Sequence, residues 1–264
     1  MQKTDTEINP YRLFDCPLAP VAKPSGIFQK EKIMIKVILW DIDGTLLDFK
    51  KSESFAIKKC FSDLGIGECT DEMVARYSVI NHRLWNELAE GKHTKKEVLN
   101  LRFEEFFKSE GINYTDYEAL NAMYQVALGE YFFFFEDGKE TLLKLKGKYK
   151  QYAVTNGTAV AQHKKLALSG LDKIFDGVFI SDEVGVDKPH KEFFDKVFET
   201  IGDYKKDEVV IIGDSVLNDM QGGNNAGIRT VLFDPNKNAI IPKTIMVDKI
   251  ISRLNEVEKT VDNL

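Results

Sequence analysis

Two acidic residues in one short stretch could carry out chemistry on a phosphate group. Asp41 and Asp43 lie one residue apart directly after the apolar run "IKVILW", and Gly44 follows them. If the run is a strand, its alternation lets both aspartates share one orientation while Ile42 points into the core. Gly44 would allow a sharp turn at this point. One carboxylate could attack phosphorus, and the other could exchange protons with the leaving oxygen and with water.

Further polar residues follow the later apolar runs of the chain. They are Thr155 and Asn156 at the end of "QYAVT", Lys188 after "GVFIS", and Asp214 and Asp219 after "EVVIIG". Ligands of open parallel sheets bind beyond the carboxyl ends of the strands, so we expect these residues to meet at one edge. Carboxylates that lie close together repel one another unless a cation lies between them. Oxygen ligands without His or Cys favour Mg²⁺ over zinc, and a lysine and a hydroxyl beside the metal suit a phosphate group.

The elements that must position these residues can be read from the apolar pattern. Short apolar strands alternate with helical segments, which predicts an α/β fold with a doubly wound parallel sheet. A polar region from about Lys50 to Leu128 has no proline and has glycine breaks near residues 65–67, 91 and 111. This region predicts about four helices, inserted after the first strand.

Composition limits the kinds of partner. The 264 residues are 43% hydrophobic and 30% charged with a net charge of −6, so the chain lacks the basic balance that nucleic-acid binding needs. No apolar run approaches the ~20 residues of a membrane span. The three cysteines form no CxxC pair, which fits a reducing cytosol. We therefore predict a cytoplasmic monomer or small homo-oligomer that acts on a small phosphorylated metabolite, with no nucleic-acid or membrane partner.

Four motifs, "DIDGT", "TNG", "DKP" and "GDSVLND", occur in that order along the chain. From about Met34 to the C-terminus the sequence resembles the phosphatases of the haloacid dehalogenase superfamily. The resemblance implies a Rossmann-like α/β core at residues 34–48 and 135–264 and an inserted α-helical cap of the first subclass at residues 49–134. Residues 1–33 contain four prolines, and we expect a poorly ordered extension, or an upstream start on a domain that begins at Met34, rather than a functional arm.

The resemblance also implies a role for each matching residue. Asp41 would attack phosphorus and bind Mg²⁺, and Asp43 would be the general acid and base and bind the metal through its backbone carbonyl. Thr155 and the N–H group of Asn156 would hold phosphate oxygens. Lys188 would neutralise the charge of Asp41 and of the phosphoryl group. Asp214 would be a metal ligand, and Asp219 would either lie near the metal or orient Lys188.

Within this superfamily, four stretches resemble the pyrimidine 5′-nucleotidases: "INHRLWNELAEGKHT", "RFEEFF", "SDEVGVDKP" and "MQGGNNAG". The implied reaction is Mg²⁺-dependent hydrolysis of a pyrimidine nucleoside 5′-monophosphate through an aspartyl-phosphate. Asn81, Trp85 and Arg102 are candidates for contact with the base or sugar. Trp85 is more often a core residue in a helical bundle, whereas Arg102 is the better candidate because a buried Arg needs an anionic partner.

Four other functions have parts of this pattern in common, and the residues present speak against two of them, dehalogenation and a non-catalytic binding module. Dehalogenation of haloalkanoates uses the same nucleophile but has no use for an acid at Asp43. A phosphoglycolate or sugar-phosphate phosphatase and a β-phosphoglucomutase-like mutase would keep all four motifs. A non-catalytic binding module on the same fold would be expected to lose Asp41 or Lys188, and both are present.

Overall fold

A computed structural model describes residues 34–264, and the extension expected at residues 1–33 lies outside the described residues. Its strands are β1 Val37–Trp40, β2 Lys150–Thr155, β3 Gly177–Ile180, β4 Val209–Gly213, β5 Arg229–Phe233 and β6 Lys249–Ile251. They form one six-stranded parallel sheet in the order β3-β2-β1-β4-β5-β6. The sequence predicts the first five strands to within two residues at each end, and β6 is not predicted.

Ten α-helices lie among residues 34–264. The first five are α1 Phe49–Leu64, α2 Asp71–Ala89, α3 Lys95–Glu110, α4 Tyr117–Glu130 and α5 Gly138–Leu145. The remainder are α6 Ala159–Ser169, α7 Ser181–Val184, α8 Lys191–Ile201, α9 Gln221–Ala226 and α10 Val257–Val261. Within this part of the chain, none of the helices is both long enough and apolar enough to cross a bilayer.

The sheet is covered on both faces, as its strand pattern requires. Successive residues of β1 point to opposite sides. Val37 and Leu39 pack with α8 in one apolar cluster, and Ile38 and Trp40 pack with α5 and α10 in another. All four side chains are fully buried, which explains why the strand reads as a continuous apolar run. The predicted doubly wound α/β fold is therefore confirmed.

Helices α1–α4 form a helical block between β1 and β2, with an apolar core of its own. Gly65 and Gly111 end α1 and α3 in the left-handed conformation, and Thr94 begins α3 with a capping box to Glu97. The core is mostly aromatic and contains Phe61, Tyr77, Phe103, Phe106, Phe107 and Tyr124. The prediction of about four helices inserted after the first strand is confirmed.

The chain enters and leaves the helical block through two segments that bond to each other. The N–H of Asp48 donates to the carbonyl of Phe133 (2.7 Å), and the N–H of Phe135 donates to the carbonyl of Leu46 (3.0 Å). Phe134 and Phe135 also pack against the sheet cluster that contains Trp40. The helical block is thus joined to the sheet by a paired connection next to Asp41 and Asp43.

The aromatic core of the helical block gives a test of its stability. Phe106 is fully buried, and its ring lies 5.3 Å from Tyr77 and 5.8 Å from Phe107. Because Phe106→Ala leaves a cavity, we expect it to lower the free energy of unfolding by about 3–5 kcal/mol. Val79→Ala on α2, where the side chain is 70% exposed, should change it by less than about 0.5 kcal/mol. Urea titrations followed by circular dichroism would measure both, and equal effects would contradict this description of the core.

Candidate active site

The candidate site lies where the strand order reverses. The chain runs outward from β1 through β2 to β3 and then returns to β4 on the other side of β1, which is the position where open α/β sheets bind ligands. Asp41 follows β1, and Asp214 follows β4. Gly44 has φ of 98°, and a Cβ atom at this position would lie 2.4 Å from a carboxylate oxygen of Asp214. Glycine is therefore required both for the turn and for the close approach of the two loops.

The ammonium group of Lys188 joins three parts of this edge. Its Nζ donates to Oδ1 of Asp41 (2.8 Å), to Oδ1 of Asp219 (2.6 Å) and to the carbonyl of Val154 (2.9 Å). These three acceptors match the three N–H donors of an ammonium group. The Lys188 side chain is almost fully buried, so its charge depends on these partners.

The loop that carries Lys188 is fixed by the side chain of Asn156. The Asn156 Oδ1 atom accepts from the backbone N–H of Lys188 (2.8 Å), and Nδ2 donates to the Lys188 carbonyl (2.8 Å). The motif did not predict these contacts of the side chain, and the role expected for the Asn156 N–H stays a prediction. Thr155 is buried at the end of β2, where its Oγ1 accepts from the N–H of Gly157 (3.1 Å). Its hydroxyl proton has no acceptor among residues 34–264, and the phosphate contact expected for it stays a prediction.

Three of the predicted acids form one group of carboxylates. Asp41, Asp214 and Asp219 each offer one oxygen, and these oxygens all lie within 4.8 Å of one another. The Thr45 hydroxyl lies 3.1 Å from Asp41 Oδ2 and 3.2 Å from Asp214 Oδ1, and it can donate its proton to only one of them at a time. Asp219 also accepts from the N–H of Ser215 (3.1 Å), so it contacts Lys188 and belongs to the carboxylate group, as either of its two expected roles requires.

The electrostatics of the group favour a cation. Burial raises the pKa of Asp41 to about 7, against the opposing effect of Lys188. Restricted solvation and the nearby Asp41 and Asp219 carboxylates raise the pKa of Asp214 well above its usual value, although its side chain still reaches solvent. Burial disfavours the charge of Lys188, but Asp219 and Asp41 outweigh it and raise its pKa. A divalent cation would offset the carboxylate repulsion, and a donor set made only of oxygens fits Mg²⁺.

Asp43 has a different set of partners. Its Oδ1 accepts from Nζ of Lys165 (2.5 Å), and its Oδ2 accepts from Nε2 of Gln162 (2.6 Å). Lys165 and Gln162 both lie on α6 and are fully buried, whereas Asp43 is partly buried. Neither belongs to one of the four motifs, so the motifs did not predict them.

Two of the three substrate candidates lie in the interior of the helical block. Asn81 Nδ2 donates to Oε1 of Glu53 (2.7 Å), and Arg102 Nη1 donates to Oδ1 of Asn81 (3.4 Å). Burial raises the pKa of Glu53. This chain of contacts therefore leads from Arg102 through Asn81 to the carboxyl group of Glu53. Trp85 is partly buried on α2. Contact of Asn81, Trp85 or Arg102 with a leaving group stays a prediction.

A row of amide side chains, of which Gln125 is buried and Asn121 half-buried, continues from Arg102 to the second motif. Arg102 Nη2 donates to Oδ1 of Asn121 (2.6 Å), which also accepts from Nε2 of Gln125 (3.1 Å). The Oε1 atom of Gln125 accepts from the hydroxyl of Thr158 (2.6 Å), the residue that follows "TNG". The guanidinium of Arg102 also lies 4.6 Å from the centre of the Tyr124 ring. The helical block thus reaches the loop at the end of β2 through polar contacts.

A second contact joins the helical block to the loop of Lys188. Lys95, the first residue of α3, donates to Oγ of Ser181 (2.9 Å) and pairs with Asp182 and Asp187. Its ammonium group also lies 3.5 Å from the carbonyl of Gly157. Nothing in the spacing of the sequence pointed to Lys95, because its partners lie more than 60 residues away.

Comparison with known proteins agrees with this geometry. YfnB of Bacillus subtilis (strain 168), which carries the name HAD-hydrolase, is 36% identical over 210 residues, covering 80% of this chain and 88% of YfnB. A crystal structure of YfnB bound to magnesium, which reveals interdomain movement, superposes on this chain with a TM-score of 0.82. The superposition covers 87% of this chain and 99% of the YfnB chain.

Two further relatives carry the name pyrimidine 5′-nucleotidase. PynA of Streptococcus pneumoniae (strain ATCC BAA-255 / R6) is 35% identical and covers 76% of this chain and 84% of PynA. YjjG of Escherichia coli (strain K12) is 30% identical and covers 84% of this chain and 96% of YjjG. The sequence model of haloacid dehalogenase-like hydrolases matches residues 35–227. The match includes all four motifs and the whole helical block, and the chain belongs to the haloacid dehalogenase-like hydrolase family.

Proposed function

We propose that this protein is a Mg²⁺-dependent phosphomonoester hydrolase that works through an aspartyl-phosphate and acts on pyrimidine nucleoside 5′-monophosphates. The observation that carries the proposal is the position of Asp41. One of its carboxylate oxygens is held by the buried ammonium of Lys188, and the carboxylates of Asp214 and Asp219 lie beside it. This arrangement presents a nucleophile next to positive charge and next to a group of metal ligands.

The residues proposed to hold the metal are Asp41, Asp214, the backbone carbonyl of Asp43 and, less directly, Asp219. When bound, Mg²⁺ would polarise the phosphoryl oxygens and neutralise charge that develops on them. The protein supplies the remaining positive charge through Lys188. Thr155 and the N–H of Asn156 are proposed to bind the other phosphoryl oxygens at the end of β2.

The proposed reaction has two steps. An Asp41 oxygen forms a bond to phosphorus while the bond to the leaving oxygen breaks, and that oxygen takes a proton from Asp43. Water then attacks the phosphoryl group and gives a proton to Asp43, and the bond between Asp41 and phosphorus breaks. Asp43 acts as acid in the first step and as base in the second, so it returns to its starting state. Lys188 stabilises the charge near Asp41 in both steps.

The helical block is proposed to act as the cap over this site, with the cap at residues 49–134 and the core at residues 34–48 and 135–264. Two contacts support this role. Lys95 reaches Ser181 and Asp187 next to the loop of Lys188, and Gln125 reaches Thr158 next to the end of β2. A cap in this position would exclude water and select the leaving group.

The proposed substrate class is supported by the relatives named as pyrimidine 5′-nucleotidases, together with the four stretches that resemble that group. Asn81, Trp85 and Arg102 remain the proposed contacts for the base or sugar. Asn81 and Arg102 already bond to each other and to neighbouring side chains, so a substrate would have to compete with these contacts.

The nucleophile can be tested with Asp41→Asn. The amide is nearly isosteric but cannot form the acyl phosphate, so we expect turnover to fall more than about 1000-fold while the fold is kept. Asp63→Asn is the matched control, because the Asp63 carboxylate makes an exposed ion pair with Lys59. Phosphate release and circular dichroism would measure both variants. Retained turnover in Asp41→Asn would contradict the assignment.

The raised pKa of Asp41 predicts that the effect of Mg²⁺ on stability depends on pH. Without a cation, the folded state keeps this proton up to about pH 7, whereas the group ordinarily releases it near 3.8. The folded state therefore binds more protons than the unfolded state between these values, and its stability falls as pH rises through that range. Because Mg²⁺ needs the ionised carboxylate, we expect it to raise Tm more at about pH 8 than at about pH 5.

Thermal unfolding at both pH values, with and without Mg²⁺, would measure this difference. Asp41→Asn has no proton to release at this position, so its response to Mg²⁺ should depend less on pH. Equal increases in Tm for the wild type at both pH values would show that Asp41 does not control metal binding.

The substrate class can be tested with a panel of phosphate esters. It would contain pyrimidine and purine 5′-monophosphates, their deoxy forms, phosphoglycolate and hexose phosphates, each assayed with Mg²⁺ and with EDTA. We expect the highest kcat/KM for pyrimidine nucleotides and no release with EDTA. A preference for phosphoglycolate or a hexose phosphate would keep the mechanism and replace the substrate. Metal-dependent release from none of the esters would favour a mutase or a binding module instead.

A further inference from the structure

The carboxylate of Asp43 is held at both of its oxygens by one helix. Lys165 binds Oδ1 and Gln162 binds Oδ2, at 2.5 and 2.6 Å. The two residues are three positions apart on α6, so they lie on the same face of that helix. The acid that follows two residues after Asp41 thus has its own buried lysine, separate from Lys188.

Both contacts come at a local cost to the fold. Lys165 is fully buried, and Asp43 is the carboxylate with which it pairs. A buried ammonium without such a partner is strongly unfavourable. Gln162 is also fully buried, and its Oε1 has no hydrogen-bond partner among the residues that the structure describes. Its amide is oriented instead so that Nε2 donates to Asp43.

The second motif makes room for this side chain. A Cβ atom at Gly157 would lie 2.1 Å from Nε2 of Gln162 and 2.8 Å from its Cγ. Glycine at this position therefore lets Gln162 pass beside the loop at the end of β2 and reach Asp43. Three locally unfavourable features therefore surround the Asp43 carboxylate. They are the buried Lys165, the Gln162 amide with its unpaired oxygen, and Gly157, which has no space for a side chain. Such a convergence of locally unfavourable features is typical of functional sites.

We propose that Lys165 and Gln162 are positioning residues that fix the Asp43 carboxylate for proton exchange with the leaving group and with water. This inference rests on the proposed function. Each carboxylate oxygen has two lone pairs, so one donor on each oxygen still leaves a place for the exchanged proton. In the first step this proton moves from Asp43 to the leaving oxygen as the phosphorus–oxygen bond breaks. In the second step a proton from water replaces it.

The geometry explains why two donors are needed. A carboxylate held at one oxygen can still rotate about its remaining bonds, whereas donors at both oxygens fix its plane as well as its position. Displacement of a reacting group by about 1 Å can lower a rate about 100-fold. The alternative is a purely structural ion pair that ties α6 to the loop after β1. The positioning role predicts that the rate loss depends on the leaving group, whereas the structural role predicts the same loss for every leaving group.

Lys165→Met and Gln162→Leu test the proposal. Both substitutions keep most of the volume of the side chain, make it one atom shorter and remove the donor. We expect kcat/KM for the alkyl phosphate that the wild type hydrolyses best to fall about 10-fold to 100-fold, because an alkoxide leaves poorly without a proton. The value for p-nitrophenyl phosphate should fall less than about 3-fold, because its leaving group needs little help from an acid.

Neighbouring residues provide controls. Lys164→Met removes the adjacent lysine, which is partly exposed and pairs with Glu130, and it should leave both values unchanged. Lys165→Arg keeps the charge and should recover part of the loss. Asp43→Asn should show the same leaving-group dependence, and adding Lys165→Met to it should cause no further selective loss, because the lysine acts through Asp43.

The outcomes separate this inference from the proposed function. A selective loss for the alkyl phosphate in Lys165→Met and Gln162→Leu, absent in Lys164→Met, would support the positioning role. Equal loss for both substrates together with a lower Tm would overturn it in favour of a structural ion pair, and so would no loss at all. If the wild type released phosphate from no ester with Mg²⁺, the proposed function would fail, and this inference with it.

Discussion

The buried ammonium of Lys188 is the contact on which the arrangement of the site depends. It binds Asp41 after β1, Val154 in β2 and Asp219 in the π-helical turn after β4, so one charge fixes three neighbouring strands relative to one another. The ammonium needs these acceptors because it has no access to water. Three carboxylates nevertheless face this single lysine, and the excess of negative charge is the physical reason to expect a cation at the same place.

The strand order brings residues that are far apart in the sequence close together in space. Asp41 and Asp214 are separated by more than 170 positions, but β1 and β4 pair directly, and the loops after them meet. Their approach is so close that Gly44 has no space for a side chain. Parallel strands make this possible, because each loop at the functional edge then follows the carboxyl end of its strand. A site of this kind is a property of the whole sheet, although each residue that forms it belongs to a short local motif.

The strand exits could be predicted from sequence because they depend on local pattern. Apolar runs that end in polar residues mark Asp41, Thr155 and Asp214 directly, and parallel topology then places them at one edge. Lys165, Gln162 and Lys95 could not be predicted in this way. They lie within or at the start of helices, where a lysine or glutamine ordinarily faces solvent, and only the packing of distant segments shows which of them is buried. β6 was missed for a related reason, because three residues are too few to show a period.

Helix α6 connects the sheet edge with the helical block. One of its faces holds Asp43 through Gln162 and Lys165, and its N-cap residue Thr158 bonds to Gln125 of α4. The two helices also pack closely, since a Cβ atom at Gly129 of α4 would lie 3.0 Å from a backbone carbonyl of α6. By contrast, the ion pairs of Lys95 lie partly in solvent, where such contacts are weak. The closest contacts between α4 and the residues that hold Asp43 therefore run through α6.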